Sequence, residues 1–283
     1  MNFHLSSAEV FIPDGLEPEK ALARTTHLAI AAHQDDLEIM AAAPILDCFQ
    51  QEQRWFTGVV VTDGRGSPRS GMYAHFSDED MYQVRRAEQC KAAVVGEYSA
   101  LVLLDYPSRK IKDAQYLFPV DDLEAIIQTA SPEFVYTHNL ADKHDTHVAV
   151  ALRTIAALRR LPPHSLPHKL YGAEVWRGLD WLVDQDKVAF DLSENESLQL
   201  ALLGVFHSQI AGGKRYDLAS MGRRRANATY FESHGVDQAS AISFAMDLTP
   251  LIEVPQQKIS PFIQEFITRL SQDIEDRLRR LSS

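Results

Sequence analysis

The sequence predicts an α/β protein with a doubly wound, mostly parallel sheet, and three observations carry that reading. Short apolar runs of strand length alternate over the first 160 residues with longer stretches whose apolar residues recur at helical spacing. Two of these runs, residues 28–32 and 134–137, break directly into clusters of histidine and aspartate. Strand-to-helix turns of that kind are where open α/β sheets bind ligands. No internal repeat or low-complexity segment interrupts the alternation.

In chain order, residues 28–32 form a buried strand and His33, Gln34, Asp35 and Asp36 turn it into a helix over 38–51, with Ile39, Ala42, Ala43, Leu46 and Phe49 on its inner side. The β-branched run 56–62 is the second strand and ends in Asp63, Gly64, Arg65 and Gly66. A dinucleotide site would place GxGxxG after the first strand. Ala32 to Asp36 stand there instead, so no nicotinamide or flavin dinucleotide is expected. The polar loop 67–80, with Gly71, Tyr73 and His75, is expected to act as a lid at the ligand edge. A helix over 81–95, a strand over 101–104, a helix over 119–130 and the fourth strand over 134–137 follow. His138, Asn139, Asp142, His144, Asp145, Thr146 and His147 then lead into a helix over 148–160. Right-handed crossovers give strand order 3-2-1-4, with the crevice beyond strands one and four as the switch point. Both polar clusters then face each other across it.

Chain-wide properties narrow the partners. A chain of 283 residues with 45% hydrophobic and 24% charged residues is ordinary globular composition, enough for one large α/β unit with additions. The net charge of −11 argues against a nucleic-acid or anionic-membrane partner. Residues 1–19 lack the basic start and apolar run of a signal peptide, and no segment approaches the ~20 apolar residues of a membrane span. Cys48 and Cys90 read as buried thiols. A cytoplasmic protein without membrane attachment is expected.

The chemistry follows from spacing. His33 and Asp36 are three apart, so an imidazole nitrogen and a carboxylate oxygen converge on one point while Asp35 stays available for proton transfer. His144 and His147 repeat that spacing at the other strand end. Two histidines and one carboxylate with an open position make a catalytic zinc set, although another divalent metal fits the same donors. Of the two later histidines, one is the ligand and the other stabilises the oxyanion or protonates the leaving amine; spacing does not say which. Such a set performs amide hydrolysis.

These residues also carry a resemblance. Ala32-His33-Gln34-Asp35-Asp36-Leu37-Glu38 resembles the AHPDD-x-E signature, and His144-Asp145-Thr146-His147 the HPDH signature, of the PIG-L/LmbE family of zinc-dependent N-deacetylases, with Arg85 and Glu88 matching its R-x-x-E helix. The resemblance covers about residues 24–160 and implies a Rossmann-like catalytic core. It further implies Zn2+ on His33, Asp36 and His147, Asp35 as general base, His144 at the oxyanion or as general acid, and Arg85 holding the sugar. The implied substrate is a small N-acetylated amino sugar of the N-acetylglucosamine type, or its conjugate. Gln34 stands where the family has proline. Thr146 stands where it has aspartate, so the group that orients His144 is either missing or supplied by Asp145 or Asp142. A catalytically degenerate sugar-binding or regulatory protein, or another metal-dependent amide hydrolase, is the alternative function.

Residues 1–23 read as an N-terminal extension, and residues 161–283 as a C-terminal part completing the sheet, opened by Pro162, Pro163 and Pro167. Strands are expected over 169–176, 188–192 and 241–248, and a helix over 194–209. Trp176 and Trp181 are candidates for stacking on a sugar, or else core residues. The basic segment 212–234 concentrates Lys214, Arg215, Arg223, Arg224 and Arg225. Arg223 and Arg224 are its candidates for contact with an anionic substrate, the alternative being internal ion pairs. The terminal helix 260–281 carries an apolar stripe through Phe262, Ile263, Phe266, Ile267, Leu270, Ile274, Leu278 and Leu281, suited to packing on the body or to a homo-oligomer contact.

Overall fold

Eight strands form one sheet in the computed structural model, which describes residues 1–282. They are β1 (Glu9–Phe11), β2 (His27–Ala31), β3 (Phe56–Thr62), β4 (Ala100–Tyr106), β5 (Phe134–His138), β6 (Lys169–Ala173), β7 (Val188–Asp191) and β8 (Ile242–Asp247). Their order is β1-β4-β3-β2-β5-β6-β8-β7. Strands β2 to β6 pair in parallel, β1 lies antiparallel on β4, and β8 is antiparallel to both β6 and β7. The chain steps from β2 through β3 to β4 on one side, then returns to lay β5 on the other. The sheet is therefore doubly wound and mostly parallel, with the switch point between β2 and β5.

Residue alternation sends each strand's side chains to two different cores. Leu28, Ile30, Val59, Val61, Val102 and Val135 pack with Leu123, Ile126, Ile127, Val150 and Ile155 from the helices Phe118–Ala130 and Asp145–Leu158. On the other face Ala29, Ala31, Val60 and Leu101 meet Leu37, Met40 and Ile45. That second face is built from small residues. Gly58 extends it, since a Cβ there would come within 2.6 Å of Leu37 Cδ1. The helix that follows the first polar turn thus lies close on the sheet.

Three departures from the sequence reading have local causes. The single helix expected over 38–51 is two, Asp36–Met40 and Ala42–Cys48, joined at Ala41 with φ −110°. Pro44 explains the break, because it has no N–H for the Met40 carbonyl and its ring crowds that carbonyl. Residues 1–23 are not a mere extension: β1 pairs with β4 through Val10 and Val102, and Ala21 and Leu22 from the helix Pro18–Ala23 enter the main core. The terminal helix, Ile259–Ser282, divides in two. Phe262 and Phe266 are buried, whereas residues 271–282 are exposed throughout, including Ile274, Leu278 and Leu281. Among the described residues no helix is long and apolar enough to cross a membrane.

Candidate active site at the switch point

Beyond β2 the backbone is held in an unfavourable shape. Asp35 sits at φ 82°, a left-handed conformation that costs a non-glycine residue about 1–3 kcal/mol. Its neighbours over-determine it. Asp35 N donates to Gln89 Oε1 (3.1 Å), and Asp35 Oδ2 accepts from Arg85 Nη2 (2.8 Å). Arg85 also bonds the Gln34 carbonyl, and its Nη1 donates to Glu88 Oε2 (3.2 Å). Glu88 in turn accepts from Ser208 N (2.6 Å) and Oγ (2.7 Å). Below the turn, Glu38 Oε1 accepts from Gln89 Nε2 and Tyr98 Oη, each at 2.7 Å. Gln34 pins the turn to β3 through Nε2 to the Thr62 carbonyl (3.1 Å). It lies so close to Gly64 that a Cβ there would meet Gln34 Oε1 at 2.3 Å, and Gly64 has φ 68° besides.

The two strand ends meet at Asp36. Its Oδ2 accepts from His33 N (2.8 Å) and lies 3.1 Å from His33 Nδ1 and 3.2 Å from His147 Nε2, while the two imidazole nitrogens are 3.2 Å apart. Three donor atoms therefore form a nearly equilateral triangle. Donors about 2.0–2.1 Å from a tetrahedral zinc lie about 3.3 Å apart, so His33, Asp36 and His147 fit one face of such an ion's coordination shell. His33, His144 and His147 also offer ring nitrogens within 4.8 Å of one another, and a carboxylate oxygen of Asp36 lies within the same range of ring nitrogens of His138 and His147.

The electrostatics suit a cation. Although burial opposes it, the His147 and His33 imidazoles hold the Asp36 carboxyl well below the usual carboxylate range. Burial likewise opposes a charge on His147, but Asp36 and Asp142 overcome it and push His147 up to about 9. Burial raises Asp35 to about 6 against the opposing pull of Arg85, with Asp36 adding to the rise.

Asp142 settles what stands behind the second motif. Its Oδ1 accepts from His144 N (2.9 Å) and lies 3.6 Å from His147 Nδ1, while Oδ2 accepts from Trp176 N (3.0 Å) and Arg177 N (3.3 Å). Despite burial, His147 and those amides bring it down to about 2. Asp142 thus backs the His147 ring and not the His144 ring. Asp145 is exposed, and His144 Nδ1 is buried without a hydrogen-bond partner among the described residues. Burial, then the Coulombic influence of the neighbouring His147 and His33 rings, lowers His144 to about 4. Its ring stands edge-on to His33 at 5.0 Å and parallel to Trp176 at 6.4 Å.

Sequence reasoning passed over His138 as a site residue. Its Nε2 accepts from Ala32 N (2.8 Å), and its ring stacks on His147 with centroids 4.0 Å apart. The signal was available, because it is the first polar residue of the second cluster. Tyr216 is the other omission: its phenol is held protonated, first by burial and then by Asp35 and Asp36.

The other residues expected at the substrate have partners within the protein. Arg85 and Arg224 both spend their guanidinium groups on groups of this chain. Arg85 is 1% exposed and pairs with Asp35 and Glu88, although it reaches the wall of the cleft. Arg224 is 3% exposed; Nη1 donates to Gln199 Oε1 (2.9 Å) and Nη2 to the carbonyls of Glu38 (2.8 Å) and Ile39 (3.3 Å). It caps the helix that Pro44 cuts short. Arg223 bonds the Val175 carbonyl and Arg225 pairs with Glu196. Of the basic residues described in this segment, Lys214 lines the cleft, 4.7 Å over the Trp176 ring. The loop expected as a lid is anchored in this structure, with Tyr73 buried and its Oη 2.8 Å from His207 Nδ1.

A cleft of about 420 Å3 opens over the triangle, and His33, Asp35, Asp36, His144, Trp176, Lys214 and Tyr216 are among its lining residues. Residues 28–158 match the family model described as PIG-L, GlcNAc-PI de-N-acetylase. Among solved structures the chain is similar to a conserved protein of Thermus thermophilus, at 17% identity and a TM-score of 0.60 over 83% of this chain and 99% of that one. It is similar to the 4-carboxy-2-hydroxymuconate hydratase of Pseudomonas putida, at 15% and 0.58 over 79% and 96%. It is also similar to the N,N'-diacetylchitobiose deacetylase of Pyrococcus horikoshii, at 18% and 0.58 over 78% and 83%. At such identities the likeness is one of fold. No curated protein matches the chain by sequence. The matched stretch contains both polar clusters and the strands that aim them, and residues 28–158 form a PIG-L family domain.

Proposed function

We propose that the protein is a metal-dependent N-deacetylase, with zinc the expected ion, that hydrolyses the acetamide of an N-acetylglucosamine-type amino sugar. The observation that carries this reading is the triangle of His33 Nδ1, Asp36 Oδ2 and His147 Nε2 with edges of 3.1–3.2 Å, beside a separate carboxylate on Asp35. The PIG-L family domain over residues 28–158 supports it, as does the deacetylase among the similar folds. Because that fold also carries a hydratase, the argument rests on the donor set and not on the architecture.

When bound, the ion supplies a Lewis acid for the amide carbonyl and the attacking water. Asp35, ionised at neutral pH and held by Arg85, takes a proton from that water as its oxygen attacks the carbonyl carbon. His144, neutral and close to His33, donates its ring N–H to the carbonyl oxygen as negative charge develops there. Cleavage of the C–N bond releases acetate, and the proton now on Asp35 goes to the leaving amine. Asp142 fixes the ring of His147, as carboxylates behind ligating histidines do. Trp176, with Lys214 over one face, offers a stacking surface for the sugar.

The test is acetate release from N-acetylglucosamine and N,N'-diacetylchitobiose by protein stripped of metal and then given zinc. Zinc-restored release is the expected outcome. Binding of either sugar without any release in the zinc-loaded protein would favour the sugar-binding alternative.

A further inference from the structure

A second cavity, of about 270 Å3, adjoins the cleft and shares Asp36, Trp176 and Tyr216 with it. It lies on the β6–β8 side of the triangle, away from Asp35 and Arg85. Its wall is mostly apolar, from Ile39, Val175, Ala219 and the rings of Trp176 and Tyr216. Of the charged residues that border it, Asp36 belongs to the triangle, and Glu174, Arg223 and Arg224 are engaged within the protein. Glu174 Oε1 accepts from Asn227 Nδ2 (2.6 Å) and Phe244 N (3.3 Å), and Oε2 from Leu179 N (3.1 Å). Arg223 and Arg224 hold backbone carbonyls. Lys143 is exposed.

Building on the amide-hydrolase reading, we infer that this chamber receives the acyl side of the scissile amide, so that the substrates include amino sugars N-acylated with chains longer than acetyl. An amide whose carbonyl carbon sits at the triangle extends one substituent to each side. The polar, larger cleft holding Asp35, Lys214 and the Trp176 face suits the sugar. The chamber is then left for the acyl group. Acetyl has only a methyl beyond its carbonyl, whereas one water takes about 30 Å3 of liquid, so about 270 Å3 is far more than a methyl needs. Each methylene placed against that wall adds selectivity.

Two measurements on the full-length protein test this. The first compares kcat/KM for N-acetyl-, N-butanoyl- and N-hexanoylglucosamine with zinc restored, in wild type and Ala219→Trp, whose side chain would fill the chamber from an exposed helix position. Hexanoyl is expected to exceed acetyl by roughly tenfold or more, and Ala219→Trp to bring that ratio back near one. The second is calorimetric binding of hexanoate and acetate to metal-free protein, where hexanoate binds more tightly in wild type and loses its advantage in Ala219→Trp. Discrimination in binding with no amide cleaved would uphold the chamber and reject the hydrolase. A cleavage ratio near one in wild type, with the two acids bound alike, would overturn the chamber and leave deacetylation standing. Equal loss on all substrates in Ala219→Trp would also overturn it.

Discussion

The two strand ends that meet at the triangle are held by opposite means. At the end of β2, charged and amide side chains from distant parts of the chain grip the turn: Arg85 on Asp35 and the Gln34 carbonyl, Gln89 on the Asp35 amide, Arg224 on the carbonyls behind. At the end of β5 there is little such grip. Among the described residues His138, His144 and His147 each leave Nδ1 without a hydrogen bond, and the rings are set by stacking and by Asp142, whose oxygens are mostly bound to backbone amides. The first junction is strained and braced; the second is packed around one carboxylate. Damage to the first should therefore spread into stability, and damage to the second should stay with the metal.

The sharpest test of the first junction is Asp35→Asn, since asparagine tolerates the left-handed backbone while losing the base. Deacetylation is expected to fall by about 10²–10⁴-fold with zinc content unchanged. Loss of zinc along with activity would show that Asp35 is not a separate base. Arg224→Met leaves Gln199 Oε1 and the Glu38 carbonyl without donors and should cost about 2–4 kcal/mol, read by urea unfolding. A variant of wild-type stability would contradict the brace.

For the second junction, Asp142→Asn should weaken zinc binding about 10–100-fold, measured by chelator competition, while the urea midpoint moves little. An unchanged affinity would remove Asp142 from its place behind His147.

The smallest effect concerns pH. Burial raises Glu38 from the ordinary carboxyl range to about 7, so between the unfolded pKa and about 7 the folded state keeps a proton that the unfolded chain has released. Stability from this group then falls as pH rises across that window, by about 1.4 kcal/mol per pH unit at most, and is level above it. Glu38→Gln should flatten this slope relative to wild type in unfolding measured between pH 5 and 8. Parallel slopes in the two proteins would mean that Glu38 is ionised throughout.

Much of the fold was legible because its signals are local. The apolar runs that became β2, β3 and β5 carry their own period, and the right-handed crossover rule then placed β2 beside β5. The three-residue spacing of His33 with Asp36 and of His144 with His147 is equally local, and it brought the two clusters to one crevice. Pro44 was also visible, but a single apolar face over 38–51 masked its effect on the helix. The short β1 was hidden because three residues show no period and its pairing with β4 lies about ninety residues away.

The sequence alone determined the four-strand parallel core of the sheet, the switch point and the residue types that gather there, since each depends on periodicity or on neighbours within one turn. Only the tertiary structure decided which side chains those residues spend on one another. Arg224 reaches Glu38 across 186 positions, Arg85 reaches Asp35 across 50, and Asp142 takes the amide of Trp176 34 residues on. An arginine written in a basic run looks like a contact for an anion. Burial demands that its donors be satisfied, and packing, which no local pattern records, decides that carbonyls of this same chain satisfy them.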